Sequence, residues 1–538
     1  MHLLIILAFA ILLWRAEESD RWLMTNPDHP LPTILAVMGL PVATVVCSWF
    51  IQKRGLRQLA HGQSPNDVHH WLQRSTIVLR SFQLAAFGAL IFVTHWPVWL
   101  AFGQIHPALQ FVGDLIVLVP YLLSLVLVWV VTFPLENELR LRENDSADAV
   151  GWRLGQFLDF HLRHFVIVIV VPMTFILLAS GWANGYEDSL STMMGTKMAP
   201  NIIVGLAAAL VYLVFPLMLR FIWRMESLPR GEMRTRLEQL CERIDLRCRD
   251  ILVWKSDGVM INAAVMGLVP QVRYVLLSDA LLSTMSNAQV EGVFGHEAGH
   301  IRKRHIHLFL LFAFLGWLVT GIFVEGLSIL ALQFAWTSET VTTGIQLVGL
   351  LITVLFWAWG FGMLSRRFER QADLFGARCI TAAVTDCGRA CSVHQSSTSA
   401  ETDPREPAEE SDRVCAAGAS VFASALDRVS RLNGIPQDEW HWRYDSIGDR
   451  IRFLHATSGD PGLAESFESR LRMVGRGITA VAVIGGLVAV IYLALVGEPA
   501  FMRLLSGQEP EKGVSVRQAD VMGVTQAISD DQLSTVEV

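Results

Sequence analysis

Eight long apolar runs constrain the fold of this chain more than any other feature of its sequence. A helix needs about 20 apolar residues to cross the hydrocarbon core of a bilayer, and each run is close to that length or longer. Charged residues make up only 17% of the 538 residues, compared with about 25% in soluble globular chains. We therefore predict a predominantly α-helical, polytopic membrane protein. The predicted spans are residues 33–51, 76–104, 108–133, 165–184, 198–223, 307–335, 341–364 and 475–497.

Basic residues are unevenly divided between the loops that connect these spans. Loops 52–75 and 134–164 each carry four Lys or Arg residues, whereas loop 336–340 carries none. Loops rich in Lys and Arg stay on the cytoplasmic side of a membrane. This pattern predicts that the two longest polar segments, 224–306 and 365–474, both face the cytoplasm.

The spans and loops together predict the domain organisation. Residues 1–14 are apolar but too short to cross comfortably, and they lack a basic region before the apolar stretch, so we interpret them as a retained anchor. Residues 392–413 are polar and have the composition of a mobile linker. The predicted segments are a bundle of about five to six spans (1–223), a protease segment (224–306), a two-span hairpin (307–364), a second protease segment (365–474), a last span (475–497) and a polar tail (498–538).

The first polar segment combines strand and helix signals. Residues 250–255, 259–266 and 272–278 are rich in β-branched and aromatic residues and are separated by turn residues, which predicts a small sheet. Ser286, followed three residues later by Gln289, is typical of a capping box at the start of a helix. We therefore expect a small α+β domain with a helix that begins after Ser286.

That helix carries the sequence HEAGH. His296 and His300 are four residues apart and lie on one helix face, where two imidazoles can bind one zinc ion. Glu297 points about 100° away around the helix, so it suits a general base better than a ligand. Glu369, in the stretch SRRFERQADLFGAR, is a candidate third ligand, because two intervening spans return the chain to the same side. Asp373, one turn later, can accept the free ring N–H of a ligand histidine.

Other histidines and cysteines are interpreted without a metal. His305 ends the basic cluster 302–305, which we interpret as a contact with lipid headgroups. His161 and His164 are interpreted as solvated residues at the membrane face rather than ligands. The spacing of Cys387, Cys391 and His394 lacks a second pair, which disfavours a structural zinc site.

The HExxH motif, the two-span hairpin and the later SRRFERQAD stretch resemble the HtpX and CAAX-prenyl-protease family of integral-membrane zinc metallopeptidases, which are gluzincins. The stretches INAAVMG (261–267) and DSIGDRI (445–451) resemble two further family motifs, and the resemblance covers about residues 230 to 455. It implies a small cytoplasmic zincin-like metalloprotease domain of α+β type, with one Zn²⁺ per chain.

The resemblance also implies roles for single residues. Asn262 and Ala263 match the strand that binds substrate backbone, and Arg450 matches a late arginine. Tyr444 stands where the family commonly has a histidine, so Tyr444, His441 or Arg450 is a candidate for stabilising the oxyanion. The implied zinc site consists of His296, His300 and Glu369, with Glu297 as general base and Asp373 orienting a ligand.

These features predict a membrane-embedded zinc endopeptidase that acts at the cytoplasmic face, with the lipid bilayer and polypeptide substrates as partners. Three alternatives stay open: a CAAX-type protease for lipidated tails, a non-catalytic scaffold or sensor, and a transporter that uses Asp114 and Glu325 within the spans. The net charge of −7, together with the lack of a basic aromatic module, disfavours nucleic-acid binding.

Overall fold

The computed structural model describes most of the chain. The predicted anchor 1–14, apart from four of its residues, lies outside the described residues, as do His441, residues 383–391 and most of the insertion 392–413. The described residues are 5–6, 8–9, 29–100, 106, 109–143, 152–196, 198–255, 261–336, 338–382, 413–433, 435–439 and 443–496.

The chain divides into two compact units. The first combines Met1–Ile306 with Leu364–Leu471, and the second combines His307–Met363 with Arg472–Val538. The helices are α1 Pro30–Ala60, α2 Pro65–Val93, α3 Trp96–Trp99, α4 Gln110–Glu143, α5 Leu154–His161, α6 Val168–Gly185, α7 Glu187–Met194, α8 Ala199–Ile222, α9 Glu232–Arg243, α10 Asp279–Thr284, α11 Asn287–Arg302, α12 His305–Gln333, α13 Glu339–Leu355, α14 Gly362–Thr381, α15 Ala416–Leu432, α16 Ile447–Gly459 and α17 Pro461–Val496.

Eight helical segments in the described part of the chain are long and apolar enough to cross a membrane, and each overlaps a predicted span. The prediction of a polytopic helical protein is thus confirmed, but one span is shifted. The run predicted at 76–104 forms a helix that ends at Val93, and a short helix starts at Trp96. Pro97 lies in the first turn of this short helix, where a proline is tolerated because its missing N–H needs no intrahelical partner.

Polar contacts connect the helices of the N-terminal bundle. The Gln83 side chain is buried, and its amide donates to Thr44 Oγ1 at 2.9 Å and to the Ser124 carbonyl at 3.2 Å. Asp114, a candidate transport residue, accepts a hydrogen bond from Gln110, one turn away, at 2.8 Å. The bonds of the buried Gln83 amide join three helices and so stabilise a specific arrangement of them, whereas the Gln110–Asp114 bond lies within α4.

The expectation that His164 is solvated at the membrane face is wrong. Its side chain is buried between the rings of Phe160 and Trp223, at centroid distances of 4.1 and 5.0 Å. Its Nε2 accepts a hydrogen bond of 2.8 Å from the indole of Trp254. Aromatic packing therefore removes this imidazole from water, which sequence spacing alone did not indicate.

The predicted sheet is present, with one strand more than expected. Strands β1 (Glu226–Ser227), β2 (Asp250–Trp254), β3 (Ala263–Met266) and β4 (Tyr274–Ser278) lie in the order β1-β2-β4-β3. Strands β2 and β4 are parallel, and β3 pairs antiparallel with β4, Val265 opposite Val275. Strand β1 was not predicted, because its two residues are too few to give a period-two sequence pattern. The strand order places β3 at one edge of the sheet.

The capping box predicted at Ser286 is confirmed. Ser286 Oγ accepts from the backbone N–H of Gln289 at 3.3 Å, and the Gln289 side chain accepts from the Ser286 N–H at 3.1 Å. These two bonds satisfy N–H groups at the start of α11. Helix α9, Glu232–Arg243, lies between strands β1 and β2 along the chain.

Within the second unit, α12 and α13 pack against each other. Phe312 and Phe356 stack with their centroids 4.5 Å apart, and the hydroxyl groups of Thr320 and Thr353 lie 3.2 Å apart. The antiparallel pair corresponds to the predicted two-span hairpin.

Candidate metal centre

Helices α11 and α14 approach each other at backbone contact. Glycines recur on one face of α11 at Gly292, Gly295 and Gly299, a spacing of three and then four residues. A Cβ atom on Gly295 would lie 2.9 Å from the Cβ of Cys379, and one on Gly376 would lie 2.7 Å from the carbonyl oxygen of Gly292. Any side chain at this interface would separate the helices, so the glycines determine how close Glu369 comes to the histidines.

Three side chains converge where these helices meet. The Nε2 atoms of His296 and His300 are 3.3 Å apart, and Glu369 carboxylate oxygens lie 3.6 Å from the first and 3.8 Å from the second. Two ligands at tetrahedral positions, about 2.0–2.1 Å from zinc, are about 3.3–3.4 Å apart. The donor set of two imidazoles and one carboxylate therefore fits one Zn²⁺ ion.

Asp373 and Arg450 support the first histidine. Asp373 Oδ1 lies 2.9 Å from His296 Nδ1, the ring nitrogen that faces away from the metal position. Arg450 binds both oxygens of Asp373, at 2.6 and 2.8 Å, and lies 3.5 Å from Glu369 Oε2. Burial alone would raise the pKa of Asp373, but the charge and hydrogen bonds of Arg450 lower that pKa well below its ordinary value. Asp373 is therefore a buried, paired carboxylate that faces the ring N–H.

His305 occupies the equivalent place beside the second histidine. Its Nδ1 lies 3.0 Å from His300 Nδ1, and its Nε2 lies 2.9 Å from Gln371 Oε1. The ring is fully buried and stacks on Phe368. Burial lowers the pKa of His305 to about 4. The expectation that His305 contacts lipid headgroups is therefore wrong, because the packing of this ring removes it from water.

Glu297 lies beside the three candidate ligands. Its carboxylate accepts a hydrogen bond from the backbone N–H of Val265, on edge strand β3. Burial is the largest influence and raises the pKa of Glu297 to about 7, opposed in part by the positive charge of His296. A carboxylate whose pKa lies near neutrality suits proton transfer in both directions.

Asn262 and Ala263 lie at the start of β3. The Asn262 N–H donates to Ser278 Oγ at 3.1 Å, and its side-chain oxygen accepts from the Ala263 N–H at 2.9 Å. These bonds fix the end of the edge strand that leads to Val265. The residues that resemble a substrate strand thus lie on the strand that contacts the candidate base.

Two candidate oxyanion donors lie among the described residues. Burial raises the pKa of the Tyr444 hydroxyl, and the charges of Glu369 and Glu297 raise it further. The charges of Arg443 and Arg450 lower that pKa in part. Arg450 instead directs its guanidinium at Asp373.

Sequence reasoning missed three parts of this centre: the glycine face of α11, the pair of His305 and Gln371, and the attachment of Arg450 to Asp373. The spacing Gly-x-x-Gly-x-x-x-Gly within GVFGHEAG was a visible signal of close helix packing. A third histidine five residues after the motif was visible too. Nothing local indicated that Arg450 would contact a residue 77 positions earlier.

The three candidate ligands lie within a stretch that matches a protein-family model. The model of the family described as "Peptidase family M48" matches residues 227–442, a range that contains His296, Glu297, His300, Glu369 and Asp373. Among solved structures, the chain is similar to the crystal structure of Ste24p from S. mikatae. The TM-score is 0.42 with 14% sequence identity, and the match covers 80% of this chain and 99% of that chain. Residues 227–442 thus resemble peptidase family M48, in a chain whose described part holds eight helices long and apolar enough to cross a membrane.

Proposed function

We propose that this chain is a zinc-dependent endopeptidase that hydrolyses peptide bonds of membrane or membrane-associated proteins at the cytoplasmic face. The observation that carries the proposal is the convergence of His296, His300 and Glu369 at ligand spacing, with Glu297 beside them. The cytoplasmic orientation is supported by the excess of Lys and Arg in loops 52–75 and 134–164.

The proposed chemistry divides between the metal and the chain. His296, His300 and Glu369 would hold a zinc ion, which would lower the pKa of water and polarise a carbonyl group. Glu297 accepts the proton of the attacking water and later delivers it to the leaving amine. Asp373 holds the ring of His296, while Arg450 keeps Asp373 ionised. The proton taken from water therefore ends on the leaving amine, and Glu297 returns to its ionised form.

The oxyanion that forms at the scissile carbonyl needs a donor. Tyr444 is our preferred candidate, because it stands where the resembling family commonly has a histidine and its hydroxyl can donate to an oxyanion, whereas the guanidinium of Arg450 is directed at Asp373. His441, three residues earlier, is the alternative that the sequence offers. Removing one such donor typically lowers kcat by about 10²–10³-fold.

Substrate is proposed to bind as an additional strand along β3. This strand lies at the edge of the sheet, and Asn262 and Ala263 form its entry. An extended peptide can add to an exposed edge through backbone hydrogen bonds, which give affinity with little sequence preference. Since Val265 of the same strand contacts Glu297, a peptide on β3 would pass beside the candidate base.

Replacing Glu297 with glutamine tests the assignment. The amide retains the shape of the side chain but cannot accept the water proton, so we expect bound zinc to stay at one per chain while casein cleavage falls by at least about 10²-fold. Glu242→Gln, at an exposed position of α9, is the matched control and should leave cleavage unchanged. Chelation with 1,10-phenanthroline should abolish cleavage by the parent protein, and added zinc should restore it. Cleavage that survives both the substitution and the chelator would refute the proposal.

Lipidated tails are the second candidate substrate class, because the bundle before the protease domain has five long apolar helices among the described residues. Such a bundle can accommodate an acyl or prenyl chain. A prenylated peptide and its unprenylated counterpart, compared at equal concentration with an unfolded membrane protein, separate the two classes. Preference for the prenylated peptide by more than tenfold would favour the CAAX-type function.

A further inference from the structure

His305 is placed so that both of its ring nitrogens are used. Its Nδ1 lies 3.0 Å from His300 Nδ1, and its Nε2 lies 2.9 Å from Gln371 Oε1. The ring lies parallel to that of Phe368, with the centroids 4.2 Å apart and an interplanar angle of 2°. Stacking and two hydrogen bonds together fix both the plane and the rotation of this imidazole.

A local break in the backbone brings His305 to this position. On a continuous helix, a residue five positions after His300 would point about 140° away from it. Helix α11 instead ends at Arg302, Arg304 adopts a left-handed conformation with φ 59°, and α12 begins at His305. A non-glycine residue with positive φ is uncommon and is maintained only where the surrounding contacts require it. The break therefore turns His305 back against His300.

The hydrogen bonds along this chain have one consistent direction. The Gln371 oxygen can only accept, so His305 Nε2 carries the proton and His305 Nδ1 accepts. His300 Nδ1 then donates to His305, and His300 Nε2 is left with a lone pair toward Glu369. The reverse order, with an amide N–H donating to His305, would place a proton on His300 Nε2 and block metal binding there. Gln371 thus sets the tautomers of two histidines.

We propose that His305 is a positioning residue that holds His300 in its metal-binding tautomer, and that Gln371 sets the direction of this hydrogen-bond chain. The inference rests on the proposed function, because it needs a zinc ion at His300. It gives the two ligand histidines different supports: the Asp373 carboxylate for His296, and a neutral imidazole backed by an amide for His300. Such support normally changes metal affinity by about 10–100-fold.

The alternative is that His305 only fills space at the start of α12. Both ideas predict a less stable protein when His305 is replaced, so stability alone cannot separate them. His305→Phe keeps an aromatic ring against Phe368 and removes both nitrogens. His305→Asn places an amide oxygen near the position of Nδ1, where it can accept from His300. The pair differs in hydrogen bonding to the ligand, and metal affinity measures that difference directly.

Zinc affinity is measured by competition with a chromophoric chelator, in a Glu297→Gln background so that self-cleavage does not interfere. We expect His305→Phe to weaken zinc binding by about 10–100-fold and His305→Asn to stay within about threefold of the parent. Gln371→Leu should resemble His305→Phe, and Gln371→Glu should resemble the parent, since a carboxylate accepts from His305 in the same direction. The absorption spectrum of the cobalt-substituted protein should change in the variants that lose affinity.

His164→Phe is the matched control, because His164 is also buried and stacked between aromatic rings but lies in the N-terminal bundle. It should leave zinc affinity unchanged even if it lowers the unfolding temperature. Parent-like zinc affinity in His305→Phe, or equal losses in His305→Phe and His305→Asn, would overturn the positioning role. A parent protein that binds no zinc would refute the proposed function instead, so the two failures are distinguishable.

Discussion

Replacing Arg450 with methionine isolates the energetic role of the buried ion pair beneath the metal position. Arg450 is 8% exposed and Asp373 is fully buried, and two hydrogen bonds of 2.6 and 2.8 Å join them. Methionine is apolar and unbranched, so it fills much of the volume without the charge. The substitution leaves the Asp373 carboxylate buried, with His296 as the remaining partner among those described above.

The magnitude follows from removing one partner of a buried pair, which costs about 3–5 kcal/mol of stability. A second effect concerns the metal. If Asp373 becomes protonated or rotates away, it orients His296 less well. Zinc affinity should then fall by about 10–100-fold, which is about 1.4–2.8 kcal/mol of binding free energy. Arg378→Met provides the comparison, because Arg378 is 9% exposed and donates to buried Glu468 at 2.8 Å. That pair has similar burial but no contact with a candidate ligand.

The assay measures two quantities on detergent-solubilised protein: denaturant unfolding of the metal-free protein, and zinc affinity by chelator competition. Arg450→Met should lose both stability and affinity, whereas Arg378→Met should lose stability alone. Lys303 also lies 3.5 Å from Glu468, so the stability loss in Arg378→Met should fall toward the lower end of the range. Equal zinc affinity in the two variants would refute the idea that Arg450 acts on the metal through Asp373.

Two further predictions concern the helix interface and pH. Gly376→Ala places a Cβ 2.7 Å from the Gly292 carbonyl oxygen. We therefore expect the unfolding free energy to fall by about 1–3 kcal/mol and zinc binding to weaken. Gly205→Ala is the control: this position has open space around it, so the substitution should be neutral or slightly stabilising in the same assays. Arg450 depresses the pKa of Asp373 below its unfolded value of about 3.9, so the stability contributed by this carboxylate is fully present above about pH 4 and is lost as the pH falls through the lower folded pKa. Unfolding free energies of the parent and of Asp373→Asn, measured from pH 5 downward, should therefore converge as the pH falls below about 4, and a difference that stays unchanged in acid would contradict the assignment.

The membrane spans were predictable because a long apolar run is a local property of the sequence. The ends of the helices were harder to predict. The last predicted span begins at residue 475, but α17 begins at Pro461, because the helix continues through a polar stretch that no breaker interrupts. Sequence reasoning detects the hydrocarbon-crossing part of a helix and misses its extension into water.

The site was predictable where spacing along one helix determines geometry, as for His296 and His300, and where an even number of spans returns the chain to one side, as for Glu369. The site was not predictable where its geometry depends on an unusual backbone conformation or on a tertiary contact. The left-handed conformation of Arg304 has no compositional signal, so His305 was misplaced. Glycine within a helix normally reads as a destabilising residue, and only the observed contact with Gly376 shows why α11 carries three of them on one face.

Helix α14 contributes to every part of the candidate metal centre. Glu369 and Asp373 are one turn apart and share a face, so one offers a ligand and the other orients His296. Gln371 lies about 200° around the helix from Glu369 and reaches His300 through His305. One helix therefore supplies one ligand and orients the other two. A small shift of α14 relative to α11 would disturb all three ligands together, which is why the glycine contact should affect zinc binding more strongly than its distance from the metal suggests.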